Sequence, residues 1–198
     1  MASLSSLRRA MMCLPCLLWV ASEFASPAHA AEKVYVEGLA APVVLARDKN
    51  GVVKVAAADE KSMAFAQGYA HARDRLFQMD LLRRSAAGTL AELLGKDALD
   101  DDILLRTLGL CRTAERTLPL LSDGLRSVLE AYAAGVNAFR EMNPPPPEYP
   151  VLGLGEVADW SPVDSVCIAK LVAFQLSVDT DDIDRTEALH TYQAFLGE

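Results

Sequence analysis

The stretch from Phe65 to Gly95, FAQGYAHARDRLFQMDLLRRSAAGTLAELLG, restricts this chain more than any other, because it reads as a long helix with two distinct faces. Phe65, Tyr69, Ala72, Leu76 and Met79 recur at steps of three and four, which at about 100° per residue gives one apolar stripe. Gln67, His71, Asp74 and Gln78 repeat the spacing on the opposite side as a polar line. Phe77 and Leu81 stand close to that line, so much of it is expected to be buried and internally hydrogen-bonded. Gly88 and Gly95, each after a run of good helix formers, are the expected stops.

What precedes the helix divides in two. Residues 1–30 have the form of a secretory signal, with Arg8 and Arg9, an apolar core from Ala10 to Ala21, and Ala28-His29-Ala30 as a small-x-small cleavage site. The apolar core is too short to span about 30 Å of hydrocarbon. A mature chain is therefore expected to begin near Ala31. From Val34 the pattern turns strand-like, and Asp48-Lys49-Asn50-Gly51 is a turn signal between apolar arms near 43–48 and 51–57, predicting a β-hairpin. Asp59 is placed to cap the long helix.

Removing the signal takes Arg8, Arg9 and Glu23 from 19 basic and 27 acidic residues, leaving 17 − 26 = −9. Such a balance argues against nucleic acid and against an anionic membrane surface as partners. Cys13 and Cys16 leave with the signal. Cys111 and Cys167 remain inside helical patterns, either paired in an oxidising compartment or buried as free thiols. The mature segment has no CxxC or His/Cys cluster, which makes zinc improbable.

Beyond Gly95, Asp100, Asp101 and Asp102 precede an apolar run and fit the first turn of a helix, where carboxylates meet its positive end. Asp102 and Arg106 are spaced to pair, and Pro119 is expected to end that helix. Ser122 caps the next, whose face of Leu125, Leu129, Tyr132, Val136 and Phe139 runs on to Met142. Asn143 to Pro150 holds PPPPEYP, expected to lie extended across the surface as a rigid connection or, alternatively, a polyproline ligand. Ser161, Pro162 and Asp164 open a helix that carries Ile168, Leu171, Val172 and Leu176. Asp179, Asp181, Asp182 and Asp184 follow, then a last helical stretch to Phe195. These carboxylates suit either a solvated helix end or one or two of the six to eight oxygens of a calcium ion. No repeat or second domain is apparent in a mostly helical mature chain.

A nucleophilic triad needs a hydroxyl or thiol, a base in reach and an orienting group, and the sequence shows no complete set. His71 and His190 are the only mature histidines, no Ser stands in a G-x-S-x-G elbow, and neither cysteine has a catalytic signature around it. His71, on its polar line, reads more readily as a hydrogen-bonded structural residue than as a base.

AQGYAHARDRLFQMDLLRRSAAGTLAELLG resembles the hallmark segment of the penicillin amidase (penicillin acylase) family of N-terminal nucleophile hydrolases. RDKNGVVKVAA resembles that family's opening hairpin, AYAAGVNAF one of its helices, and YPVLGLGEVADWSPVDSVCIAKLVAFQLS its route into the acyl pocket, so the likeness runs from about Val43 to Leu176. The resemblance implies a signal peptide plus α subunit, 31–198, of a precursor that cuts itself apart. It further implies an α+β fold: a mainly helical α subunit with an N-terminal β-hairpin, completing a four-layer αββα architecture with a separate β subunit. The nucleophile would be a Ser at the β N-terminus with its own α-amino group as base, leaving the α subunit without catalytic residues. A free α-amino group titrates near 8 and serves as a base near neutrality without a histidine.

By the same resemblance, Asp182 aligns with the α-subunit calcium ligand, and Val172, Gln175 and Leu176 face the acyl chain. Three departures stand out: Val53-Lys54 replaces a frequent Pro-His pair, Asp182 replaces a common Glu, and Gln175 replaces the Arg usual in penicillin G acylases. An uncharged wall of Val172 and Leu176 suits aliphatic acyl chains. The expected activity is therefore hydrolysis of N-acylhomoserine lactones, and also of β-lactam amides, in the periplasm or outside the cell. The alternatives are a penicillin G/V-type acylase and a non-catalytic exported helical binding subunit.

Overall fold

A computed structural model of the chain describes the backbone of residues 32–34 and both backbone and side chains of 43–177 and 182–196, with the backbone of 181. The expected signal segment lies outside the described residues. Three strands, β1 (Glu32–Val34), β2 (Val43–Arg47) and β3 (Val53–Ala56), form an antiparallel sheet in the order β1-β2-β3. The predicted hairpin is β2 and β3, with Leu45 opposite Val55 and Ala46 opposite Lys54. β1 adds to the outer side of β2. The turn closes because the Asp48 carboxylate accepts the Asn50 and Val52 amides at 2.9 and 3.0 Å while Gly51 takes a positive φ of 81°. Alternation along β2 buries Val43 and Leu45 against Ala66, Tyr69 and Ala70 of the long helix.

That helix, α1, spans Glu60–Ala87. Asp59 caps it as expected, accepting the Ser62 amide at 2.9 Å and the Ser62 hydroxyl at 2.7 Å. Gly88 ends it in the left-handed conformation (φ 66°, ψ 47°). Phe65, Tyr69, Ala72 and Leu76 are buried as the stripe predicts. Two features differ from the sequence reading. The helix is kinked at Arg75 (φ −147°, ψ 25°), beside Asp74, which pairs with Arg47 of β2. The polar line is also exposed: Gln67, His71, Asp74 and Gln78 all face outward, because the sheet and the helix over 123–142 pack on the apolar side, and Phe77 and Leu81 are only half-buried.

After Gly88 come α2 (Ala91–Leu94), a 3-10 turn through Ala98, α3 (Leu99–Leu108), α4 (Leu110–Thr117) and a second 3-10 turn, Leu118–Leu120. The predicted continuous helix up to Pro119 is broken at Gly109, which adopts φ 70°. Asp102 does not pair with Arg106. Nearly buried, it accepts the Leu90 and Ala91 amides at 2.9 and 2.7 Å, so it caps α2, while Arg106 donates to the Gly88 carbonyl at 2.6 Å.

α5 (Asp123–Met142) starts at Ser122, whose hydroxyl accepts the Leu125 amide at 3.3 Å. It packs along α1 with almost no separation between backbones. A Cβ built on Gly135 would land on the Phe65 carbonyl, 2.8 Å from its carbon and 2.9 Å from the Tyr69 nitrogen; one on Gly68 would strike the Tyr132 carbonyl. Two glycines thus replace the usual layer of side chains between helices.

The proline-rich connection turns at Pro147 (φ −60°, ψ −20°) into a single helical turn, α6 (Glu148–Val151), which drives Tyr149 inside. α7 (Pro162–Ser177) and α8 (Asp181–Leu196) complete the chain. Cys111 of α4 and Cys167 of α7 are joined as a disulfide, with Cα atoms 4.8 Å apart, which settles the open choice between paired and free thiols. Closing a loop of 56 residues restrains the unfolded chain by about 4 kcal/mol on a chain-entropy estimate. Among the described residues no helix is long and apolar enough to cross a membrane.

Candidate functional site

The site is built on α7, and several unlike interactions fix where that helix begins. Ser161 and Asp164 form a reciprocal cap: the Asp164 carboxylate accepts the Ser161 amide at 2.7 Å and hydroxyl at 2.8 Å. The Asn137 side chain reads the preceding backbone, accepting the Trp160 amide at 2.8 Å and donating to its carbonyl at 2.9 Å. The buried Trp160 indole donates to Ser165 Oγ at 3.0 Å and lies under the Arg83 guanidinium.

Arg83 is itself held from below. Asp80, 2% exposed, accepts from Arg83, from Arg84 Nε at 3.0 Å and from the Tyr149 hydroxyl. Burial alone would raise the Asp80 pKa, but the bonds from Tyr149 and the two arginines outweigh it and hold the carboxyl below its usual range. Burial, together with the Asp80 charge, pushes the Tyr149 phenol well up, so it stays a donor. This knot links α1, α6 and the entrance to α7, and nothing in the spacing of Asp80 distinguished it from an ordinary surface carboxylate.

Cys167 and Leu171 bury the next part of α7. Past Leu171 the helix emerges: Val172 is 44% exposed, Leu176 84%, and Gln175 is exposed as well. Positions 172, 175 and 176 fall within an arc of about 100°. Extended back along the helix, the same arc takes in Ile168 and Ser165, which form one wall of an apolar groove of about 400 Å³ between α1, α5 and α7. Met79, Leu82, Leu129 and Tyr132 make up much of the rest, and Gln67 from the polar line reaches its edge. That size and lining suit a small amphiphilic ligand. The family likeness named Val172, Gln175 and Leu176 but gave no sign of the groove, whose walls come from three separated helices. A second hollow, about 460 Å³, lies at the α1 kink under Pro144–Pro147 and is remote from this stripe in residues and character.

Asp182 sits on α8 with its side chain 73% exposed and 3.7 Å from Arg185. From Asp182 to Leu196 every side chain of α8 is exposed. Among the described residues no group of three or more His, Cys, Asp or Glu gathers as metal ligands; Asp179 lies outside them. His71 is hydrogen-bonded through Nδ1 to the Tyr132 hydroxyl at 3.0 Å, and both cysteines are in the disulfide.

Comparison with known proteins places this geometry in context. The sequence model for penicillin amidase matches residues 42–195. A penicillin acylase 2 proenzyme from Pseudomonas sp. (strain SE83) is 42% identical over 136 residues, covering 68% of this chain and 17% of that protein. An acyl-homoserine lactone acylase, QuiP, from Pseudomonas syringae pv. syringae is 35% identical over 149 residues, covering 74% and 18%. The chain thus spans under a fifth of the length of these curated relatives. A solved thermostable penicillin G acylase from Alcaligenes faecalis superposes with a TM-score of 0.64 at 26% identity, covering 85% of this chain and 86% of the matched one. Matched from the start of the hairpin almost to the end of α8, and with an acylase proenzyme among its relatives, this chain belongs to the penicillin amidase family.

Proposed function

We propose that this chain is the signal peptide and α subunit of an exported acylase that removes the acyl group from N-acylhomoserine lactones, working with a β subunit cut from the same precursor. The observation that carries the reading is the apolar stripe of α7, which continues from the groove wall at Ile168 to the exposed Val172 and Leu176. A charged wall would oppose an alkyl chain, whereas this one removes methylenes from water at about 0.8 kcal/mol each. The match to a solved chain of nearly equal length, against under a fifth of a proenzyme, supports a processed subunit. The disulfide accords with a periplasmic or secreted location.

In this reading the β-subunit Ser Oγ attacks the amide carbonyl and its α-amino group takes the hydroxyl proton. That proton passes to the departing homoserine lactone amine, and water then releases the acid from the acyl-enzyme. The present chain's part is to hold the acyl group along Val172, Gln175 and Leu176 and to keep water from it. Asp182 would supply one calcium ligand. A single exposed carboxylate fits that role only as one donor among several, the remainder coming from outside the described residues. The two subunits together would form the four-layer αββα core.

The penicillin acylase relative at 42% identity favours a second reading, in which the amine half is a β-lactam nucleus. Both are tested on the processed enzyme made from its complete precursor, by following release of acid and amine from acylhomoserine lactones of graded chain length and from penicillins. Release from the former and chain shortening by Val172→Trp or Leu176→Trp are expected. No release from either series refutes the activity, and an unchanged chain-length profile removes both residues from the pocket.

A further inference from the structure

We propose that the Cys111–Cys167 disulfide is a positioning element for the acyl wall, setting the rotation of α7 and with it the chain length the enzyme prefers; this rests on the acyl-binding reading of α7 given above. α7 is anchored tightly at its start, but its middle is held on one side by α4, a helix of eight residues. The one fully buried side chain of α4 is Ala114, which offers no ridge to interlock with a neighbour. Around it Leu110, Val163 and Val166 are only partly buried, so on the α4 side the packing leaves some freedom to slide and turn, while Leu171, Ala86 and Leu105 fill the rest of the cluster.

The disulfide removes that freedom. Cys111 lies one turn before Ala114, and Cys167 lies one turn before Leu171, the last buried residue of α7. Beyond Leu171 in α7 only Phe174 is half-buried, while Val172 and Leu176 are exposed. Side-chain tips stand about 5–6 Å from a helix axis, so a turn of about 20° carries them roughly 2 Å. That exceeds the rise of one methylene along an extended alkyl chain. One methylene gained or lost in a closed apolar pocket is worth about tenfold or more in discrimination. Neither sulfur touches substrate in this scheme. The pair acts through the placement of α7.

The test uses the complete processed enzyme, with Cys111→Ala/Cys167→Ala compared with wild type on acylhomoserine lactones differing by two methylenes. The expected result is a shift of about tenfold in the ratio of kcat/KM between neighbouring chain lengths, carried by KM, with kcat for the best substrate within about threefold. Hydrogen exchange in 172–177 should also quicken relative to α5. A lower melting temperature with an unchanged chain-length profile and unchanged exchange in 172–177 overturns the inference. Should the double variant not fold, the same two readouts on wild-type enzyme before and after reduction of the disulfide decide it by the same criteria. Val172→Trp in the disulfide-bonded enzyme separates the two ideas. If it shifts the profile and loss of the disulfide does not, the strut alone is refuted; if neither does, the acyl wall itself is refuted.

Discussion

Replacing Gly135 by Ala tests whether two helix backbones really touch at the centre of this chain. On propensity the change is favourable, since Ala in a helix interior is better than Gly by about 1 kcal/mol. The structure reverses the sign. The new Cβ would sit on the Phe65 carbonyl and within 2.9 Å of the Tyr69 nitrogen, both backbone atoms that no rotamer change can move. Ordinary contact begins near 3.4 Å, so α1 and α5 must part by roughly an ångström, loosening the packing of Ala72, Leu76, Ala133 and Val136. A gap of that size forfeits a quarter to a half of each contact's attraction, and overpacking costs about 1–3 kcal/mol or more. After the propensity gain, a net loss of about 2 kcal/mol remains, or roughly thirtyfold in local opening. Gly124, in the first turn of the same helix, is the internal control, because a Cβ added there would meet nothing within 4 Å. Hydrogen exchange of α1 and α5 amides in the complete enzyme should quicken about thirtyfold in Gly135→Ala and stay level or slow in Gly124→Ala. Equal or greater protection in Gly135→Ala would refute the close approach.

Asp80→Asn removes the buried carboxylate that Arg83 and Arg84 share, leaving them only the more exposed Asp164 and Glu92, so exchange in Met79–Arg84 and Glu148–Gly153 should quicken by the equivalent of about 3 kcal/mol. Tyr149→Phe, which removes one hydrogen bond to a charged acceptor, should cost about half as much, and the double variant should show less than the sum of the two. Because the folded-state pKa of Asp80 lies below its unfolded value, its contribution is complete above about pH 4 and is lost as pH falls through the folded value. Acid unfolding followed by fluorescence should therefore begin at higher pH when Tyr149 is Phe, and an unmoved midpoint would count against the knot. The raised Tyr149 pKa has the opposite limb: above about pH 10 the unfolded chain gives up this proton while the folded one keeps it, so stability declines there, a decline that Tyr149→Phe should lessen.

What the sequence disclosed is largely what is local. Asp59, Ser122 and the Ser161/Asp164 pair each bond within three residues, so spacing alone announces them. The hairpin turn is equally self-contained. Asp102 shows the limit: its place in an acidic run suggested its own helix start, whereas it caps α2, eleven and twelve residues back, a partnership that depends on how the chain folds over. Asp80 and Tyr149 are 69 residues apart, and the proline run that precedes Tyr149 gave no sign that its aromatic would be driven inside. The polar line of α1 fails for a related reason. Periodicity assigns residues to faces but does not say which face receives a neighbour, and here α5 and the sheet took the apolar side. For the site, family likeness alone named Val172, Gln175 and Leu176, and the groove beside Ile168 emerges only from three-dimensional packing.

The sheet has one further consequence. With the order β1-β2-β3, β3 has no neighbouring strand on its far side among the described residues, and the alternate peptide groups of Val53–Ala56 that do not face β2 point there. A row of amides and carbonyls of this kind is a template for adding another strand in register, and Lys54 is the one charge along it. Produced by itself, the polypeptide should therefore recruit extended segments from other molecules as its concentration rises, and it should lose that tendency once a permanent neighbour lies along β3.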